Sequence, residues 1–200
     1  MLFRSINRFK QRSETTSIFV VDASGSAALH RLAEAKGAVE LLLAECYVRR
    51  DRVALISFRG RTAELLLAPT RSLVRAKNSL AGLPGGGATP LALGIDAATN
   101  LADATRRRGQ LPVIIFLTDG RANIGRDGSQ GRAVAEDHAL DAARHLRAAQ
   151  LTALLVDTSP QPQPSAQRLA AEMGARYLAL PYADSAAISQ AVRSSAPTAS

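Results

Sequence analysis

The oxygen-bearing side chains with the most informative spacing lie in residues 22–26, Asp-Ala-Ser-Gly-Ser. Asp22, Ser24 and Ser26 occupy alternate positions directly after the apolar run 18–21, Ile-Phe-Val-Val. A β-branched and aromatic run of this kind is typical of a buried strand, and the glycine marks a loop after it. A carboxylate and two hydroxyls in such a loop are hard oxygen ligands, which suit Mg²⁺ and also Mn²⁺.

Two other loops carry oxygen ligands of the same kind. Thr89 lies near the end of the glycine-rich stretch 83–91, and Asp119 follows the apolar run 111–117 within Thr-Asp-Gly. In open α/β sheets ligands bind at the carboxyl ends of the strands, so these loops are expected to meet at one edge. The predicted metal-binding residues are Asp22, Ser24, Ser26, Thr89 and Asp119.

A structural interpretation of the first loop remains open at this point. Asp22 and Ser24 have side chains that commonly cap the N-terminus of a following helix, and either loop alone would be weak support for a metal site. The metal interpretation is favoured because two acid-ended strands occur together with the threonine loop.

Catalytic patterns are less well represented. None of the lysines, Lys10, Lys36 and Lys77, lies in Gly-Lys-Ser/Thr, so no ATP site of the P-loop type is expected. No Gly-x-Ser-x-Gly nucleophile motif occurs, and His138 and His145 lack the spacing of a zinc-binding pair. A metal-dependent hydrolase using the same oxygens is the least favoured alternative, since no motif places a general base. We expect a domain that is itself non-catalytic.

The elements that position these loops follow the order β-α-β-β-α-β-α-β-α-β-α. This order predicts an α/β fold: a doubly wound, mostly parallel sheet with one antiparallel edge strand and helices on both faces. The predicted strands cover 17–22, 52–58, 62–67, 111–117, 151–156 and 176–180, and the predicted helices cover 27–49, 72–80, 90–108, 133–149, 166–173 and 184–193.

The predicted domain organisation is simple. Residues 1–16 are polar and basic and are expected to form a linker or tail, residues 17–193 a single domain, and residues 194–200 a disordered tail. No apolar run approaches the ~20 residues of a membrane-spanning helix, and the basic N-terminus lacks the apolar core of a signal peptide. The single cysteine, Cys46, excludes an internal disulfide and is expected in the core. These features favour a cytoplasmic protein.

The net charge of +8 comes mainly from arginine. Nucleic acid is not expected as a partner, because the chain has no tryptophan and only 4% aromatic residues for base stacking. Guanidinium groups suit carboxylates, which favours an acidic protein surface, although most of the arginines have the simpler interpretation of a solvated face. Arg121 and, in the predicted hairpin turn, Arg59 are the candidates for contact with such a partner.

Three motifs together resemble a known family. Asp-Ala-Ser-Gly-Ser at 22–26, Gly-Ala-Thr-Pro-Leu at 87–91 and Thr-Asp-Gly at 118–120 resemble the metal-ion-dependent adhesion site of von Willebrand factor A, or integrin I-type, domains. The resemblance extends over residues 17–193. It implies that Ser24, Ser26 and Thr89 bind the metal directly and that Asp22 and Asp119 act largely through water. It further implies that an acidic residue of a partner completes the coordination shell.

Within that family the chain most resembles the C-terminal domain of magnesium chelatase D subunits. Residues 9–16, 32–44, 47–51 and 71–77 carry this resemblance, together with Leu-Pro-Gly-Gly-Gly-Ala-Thr-Pro-Leu-Ala at 83–92. The resemblance implies an assembly domain that links the AAA+ I subunit to the porphyrin-binding H subunit, within an enzyme that uses ATP to insert Mg²⁺ into protoporphyrin IX for (bacterio)chlorophyll synthesis. The alternative is a generic von Willebrand A module, either for adhesion or for another AAA+ system such as a cobalt-chelatase-type complex. The absence of a signal segment and the absence of paired cysteines both disfavour adhesion.

Overall fold

The computed structural model describes residues 14–34, 36–180, 186–187, 190–191 and 194. This part of the chain contains six strands in one sheet and six helices. In chain order the elements are β1 (Thr15–Asp22), α1 (Gly25–Glu34), α2 (Lys36–Val48), β2 (Arg52–Arg59), β3 (Thr62–Thr70), α3 (Leu73–Ala81), α4 (Leu91–Arg107), β4 (Leu111–Thr118), α5 (Arg132–Ala148), β5 (Thr152–Asp157), α6 (Pro164–Met173) and β6 (Arg176–Ala179).

The sheet has the strand order β3-β2-β1-β4-β5-β6. The edge strand β3 runs antiparallel to β2, and the other neighbouring strands are parallel. The chain therefore winds outward from β1 in one direction through β2 and β3, and then in the other through β4 to β6. The predicted fold class, a doubly wound α/β sheet with one antiparallel edge strand, is confirmed.

The central strands β1 and β4 are buried after their first residue, because both faces of the sheet are covered by helices. In β1, Ile18 and Val20 pack in one buried cluster with side chains of α4, α5 and α6. Their neighbours Phe19 and Val21 point to the opposite face, where they join a second cluster with α2 and α3. Burying one such side chain stabilises the fold by about 1.5–3 kcal/mol. The buried strand β1 therefore holds the loop after it in a fixed position. Cys46 is fully buried in the second cluster, as predicted.

Several boundaries differ from the predicted ones. The strand β1 starts at Thr15 because its first residues pair with β4, with Thr15 opposite Leu111. The strand β3 continues through Pro69 to Thr70. A proline is tolerated there because β3 lies at the edge, where its missing N–H removes no bond of the ladder. The predicted helix 27–49 covers α1 and α2, and Ala35, between them, lies outside the described residues.

Three predicted segments lie wholly or largely outside the described residues. They are the basic segment 1–13, most of the last predicted helix 184–193, and the tail 195–200. Within the described part of the chain, no helix is long and apolar enough to cross a bilayer.

Candidate metal centre

The loop after β1 is organised by the Asp22 carboxylate. Asp22 is only 4% exposed, and its Oδ1 accepts hydrogen bonds from the Ser24 backbone N–H at 2.9 Å and the Ser24 hydroxyl at 2.5 Å. Its Oδ2 accepts a longer bond, 3.4 Å, from the Thr118 hydroxyl at the end of β4. Asp22 therefore shapes its own loop and also connects the ends of two adjacent strands.

The glycine-rich loop brings Thr89 to the same place. The Thr89 hydroxyl donates to Ser24 Oγ at 2.7 Å, and the Thr89 backbone N–H donates to Asn123 Oδ1 at 2.6 Å. The loop can lie this close because Gly87 has a φ of +89° and a Cβ there would be 3.0 Å from the Gly60 Cα. Glycine is suited to this position, since it adopts a positive φ freely and lets two backbones approach closely.

Asp119 lies beside this cluster, at the end of β4. Its Oδ1 accepts the Arg121 backbone N–H at 3.1 Å, and its Oδ2 accepts a hydrogen bond from Arg31 Nη2 at 3.0 Å. Gly120 follows with a φ of +73°, and a Cβ there would be 2.5 Å from the Ala166 Cα. The close approach of this loop to α6 therefore fixes the position from which Asp119 extends.

The donor set fits a small, hard cation. Mg²⁺ binds oxygens at about 2.0–2.1 Å, so two neighbouring ligands of an octahedral ion lie about 3 Å apart. Ser24 Oγ and Thr89 Oγ1 are 2.7 Å apart, which is close to that spacing. No three His, Cys, Asp or Glu side chains form a metal-binding group among the described residues. Zinc, which prefers nitrogen and sulfur, fits this site less well than an ion that accepts hydroxyls.

The electrostatics also suit a cation. Burial raises the pKa of Asp22 to about 6, and the negative charge of Asp119 acts in the same direction. The hydrogen bonds from Ser24 and the charge of Arg31 oppose that rise in pKa. A cation within ~4–6 Å of a carboxylate favours its charged form, so a divalent ion here would stabilise a charge that burial disfavours.

The structure thus brings four of the five predicted ligands to the carboxyl edge of the central strands. Asp22, Ser24 and Thr89 are linked by hydrogen bonds, while Asp119 is adjacent and paired with Arg31. Ser26 lies in the first turn of α1, and its side chain is outside the described residues.

The two arginines predicted to contact a partner differ in their exposure to solvent. Arg121 is exposed, and its Nη2 donates to Gln163 Oε1 at 3.1 Å in the loop before α6. Arg59 is the last residue of β2 and is half-buried. The neighbouring Gly60 donates its N–H to the Ala88 carbonyl oxygen, so the hairpin turn lies against the glycine-rich loop.

Sequence reasoning missed two residues of this site, Arg31 and Asn123. Arg31 lies seven positions after Ser24, about two helical turns, and helical side chains lean toward the N-terminus of the helix. That spacing is a signal that could have placed Arg31 near the loop. We find no comparable signal for Asn123, which binds Thr89 from 34 positions away.

Comparison with known families identifies the class of protein. Residues 17–121 match the von Willebrand factor type A domain. The chain belongs to the von Willebrand factor type A domain family, in agreement with the fold and with the resemblance found in the sequence.

Two curated relatives of this chain carry the same protein name. The chain is 56% identical over 179 residues to the magnesium-chelatase 60 kDa subunit of Cereibacter sphaeroides, covering 90% of this chain and 32% of that protein. It is 52% identical over 178 residues to the subunit of the same name from Rhodobacter capsulatus, with 89% and 32% covered. The chain thus spans about a third of the length of these relatives.

A solved structure supports the fold independently. The von Willebrand factor domain of the type V pili tip protein Mfa5 from Porphyromonas gingivalis aligns with a TM-score of 0.71, covering 91% of this chain and 95% of that one. The sequence identity is 13%, so the likeness concerns the fold alone.

Proposed function

We propose that this domain binds Mg²⁺ and that the bound ion holds an acidic residue of a partner protein. The observation that carries the proposal is the line of hydrogen bonds from Thr89 through Ser24 to Asp22, with Asp119 beside it. Ser26 is included from the sequence motif. Mn²⁺ would also be accepted, because the ligands are hard oxygens.

The chain's own residues have separate tasks in this proposal. Ser24 and Thr89 supply neutral hydroxyl ligands, and the two aspartates supply the negative charge. When bound, the ion offers a positive charge to a carboxylate of the partner. Because the ligands come from the sheet edge itself, the contact would be fixed relative to a rigid part of the domain.

We further propose that the assembly served is magnesium chelatase. In this proposal the domain joins the AAA+ I subunit to the porphyrin-binding H subunit, and Mg²⁺ insertion into protoporphyrin IX with ATP hydrolysis belongs to the whole complex. The proposal is supported by 56% and 52% identity to proteins named magnesium-chelatase 60 kDa subunits. That identity favours it over the generic module of another AAA+ system.

Arg121 has a secondary role in the proposal. Its backbone N–H binds Asp119, and its exposed side chain lies at the rim of the site. A cation at the rim of an interface mainly speeds association with an oppositely charged partner, and salt weakens this effect. Arg59 is assigned the same role on the opposite side, next to the glycine-rich loop.

A pull-down of this chain against purified I and H subunits, with Mg²⁺ or with EDTA, tests the proposal. Capture is expected with Mg²⁺, and Asp119→Asn should abolish it because the carboxylate charge is lost at nearly constant shape. Asp103→Asn is the matched control, since Asp103 is bonded to Arg106 on α4 and lies outside the cluster. Capture that ignores EDTA and Asp119→Asn would refute a metal-bridged contact.

A further inference from the structure

A cationic side chain lies inside the proposed metal site. Arg31 of α1 pairs with Asp119 at 3.0 Å, and the two side chains are only 18% and 8% exposed. Apart from Arg49 with Asp51, which is equally buried, the other arginine–carboxylate pairs of the described residues lie further out, for example Arg144 with Asp141, whose side chains are 52% and 53% exposed. The contact between Arg31 and Asp119 is therefore shielded from solvent and screened less than a surface pair.

The guanidinium of Arg31 is incompletely satisfied in this position. Its Nε is buried and has no hydrogen-bond partner among the residues that the structure describes. A buried donor without a partner costs free energy, so hydrogen bonding alone does not account for the position of Arg31. The position is explained by charge, because Arg31 lies where two carboxylates, Asp119 and Asp22, come close together.

Arg31 is thus the counter-charge for both acids. Its charge lowers the pKa of Asp22, whereas Asp119 raises it. It donates a hydrogen bond to Oδ2 of Asp119, and Asp119 is one of the two carboxylates that supply the negative charge of the proposed metal site. The guanidinium and a divalent ion repel each other because both are positive. The same carboxylate oxygen therefore cannot interact with both of them as strongly as with either one alone.

We propose that Arg31 is a positioning residue that acts as a built-in counter-cation and competes with the divalent ion for Asp119. This inference rests on the proposed metal site. Without metal, Arg31 holds Asp119 and keeps the acidic edge folded. With metal, the ion must displace or share that contact, so Arg31 lowers the affinity for metal.

Two effects of opposite sign follow for Arg31→Gln. The metal-free domain should be less stable, because two buried carboxylates lose their counter-charge. Metal binding should become tighter, because the competing charge is gone. A residue with a merely structural role would give a weaker fold and weaker metal binding together, so the opposite signs distinguish the two roles.

The experiment measures Mn²⁺ binding to the chain by electron paramagnetic resonance of free Mn²⁺, together with the melting temperature in EDTA. For Arg31→Gln we expect a Kd lowered by about tenfold or more and a lower melting temperature. Arg31→Lys keeps the positive charge and should bind Mn²⁺ within about threefold of the wild type. Arg144→Gln removes the same charge from α5, outside the site, and should change neither quantity appreciably.

Each outcome is decisive. Wild-type Mn²⁺ binding with equal or weaker binding by Arg31→Gln overturns the role of Arg31 and leaves the metal site standing. If Arg31→Lys binds Mn²⁺ as tightly as Arg31→Gln, the role of Arg31 is also overturned, because charge would not be the cause. If Arg31→Gln folds only with metal, the Mn²⁺ affinity of Arg31→Lys still allows this test. Absence of Mn²⁺ binding by the wild type and both variants refutes the metal site itself, and the inference fails with it.

Discussion

The Thr89 hydroxyl donates a hydrogen bond to the Ser24 hydroxyl across 2.7 Å, although 65 positions separate the two residues in the chain. The Ser24 hydroxyl in turn donates a hydrogen bond to Asp22, so the three side chains form a line that ends on a buried carboxylate. This line joins the glycine-rich loop to the end of the first strand. It places two hydroxyl oxygens at the spacing of neighbouring Mg²⁺ ligands.

Ser24→Ala removes the middle of that line and should weaken metal binding. We expect Mn²⁺ affinity to fall by about tenfold or more, because one ligand is lost and Asp22 loses a donor. Binding is measured by electron paramagnetic resonance. Ser129→Ala is the control, since Ser129 makes the same two bonds to Asp127 in an exposed loop. Equal losses in both variants would contradict a ligand role for Ser24.

Gly120→Ala should destabilise the domain strongly. A Cβ at this position would be 2.5 Å from the Ala166 Cα, and the φ of +73° is unfavourable for alanine. Together these effects should lower the free energy of unfolding by about 2–4 kcal/mol in urea denaturation. Gly128→Ala has a similar φ of +82° but open space around it, so it isolates the backbone effect. The two variants should differ clearly; equal losses would show that the close approach to α6 is unimportant.

Cys46 should be unreactive in the folded protein. Burial raises the pKa of its thiol to about 11, so almost no thiolate is present at pH 8. A disulfide reagent added at pH 8 should modify the thiol only after the chain is unfolded with urea, because the thiolate is the reactive form. Rapid modification of the native protein would mean that this side of the core opens readily.

Tyr177→Phe should reduce stability in a pH-dependent way. The Tyr177 hydroxyl donates to the fully buried Asp157 at 2.7 Å, and a bond of this kind contributes about 1.5–3 kcal/mol. Burial, with a smaller contribution from Asp157, raises the pKa of Tyr177 to about 12. The folded state therefore retains the proton more tightly than the unfolded chain, whose phenol titrates near pH ~10.

The stabilisation by Tyr177 should be complete below pH ~10 and disappear as the pH rises toward 12. Urea unfolding of the wild type and the variant from pH 7 to 11.5 measures it. Tyr47→Phe is the control, because Tyr47 is 58% exposed. A difference between wild type and Tyr177→Phe that stays constant to the highest pH would contradict the contact with a charged Asp157.

The sequence was sufficient for the fold and for the location of the candidate site. Continuous apolar runs such as 18–21 and 111–117 predict strands covered on both faces, and the acids directly after them must lie at one edge of a parallel sheet. These inferences depend on local patterns and on the few topologies that such patterns allow. For the same reason Asp22 and Ser24, two positions apart, were predictable as one unit.

Tertiary structure alone decided which distant side chains meet there. Arg31 reaches Asp119 across 88 positions, and Asn123 fixes Thr89 through its amide oxygen. Such contacts depend on how α1 packs on the sheet and on the path of the loop after β4, and no local pattern encodes them. The strand boundary at Thr15 is of the same kind, because pairing with Leu111 extends β1 beyond its apolar run. Local periodicity determined the elements and the acids at their ends, whereas long-range packing decided the charge partner of Asp119.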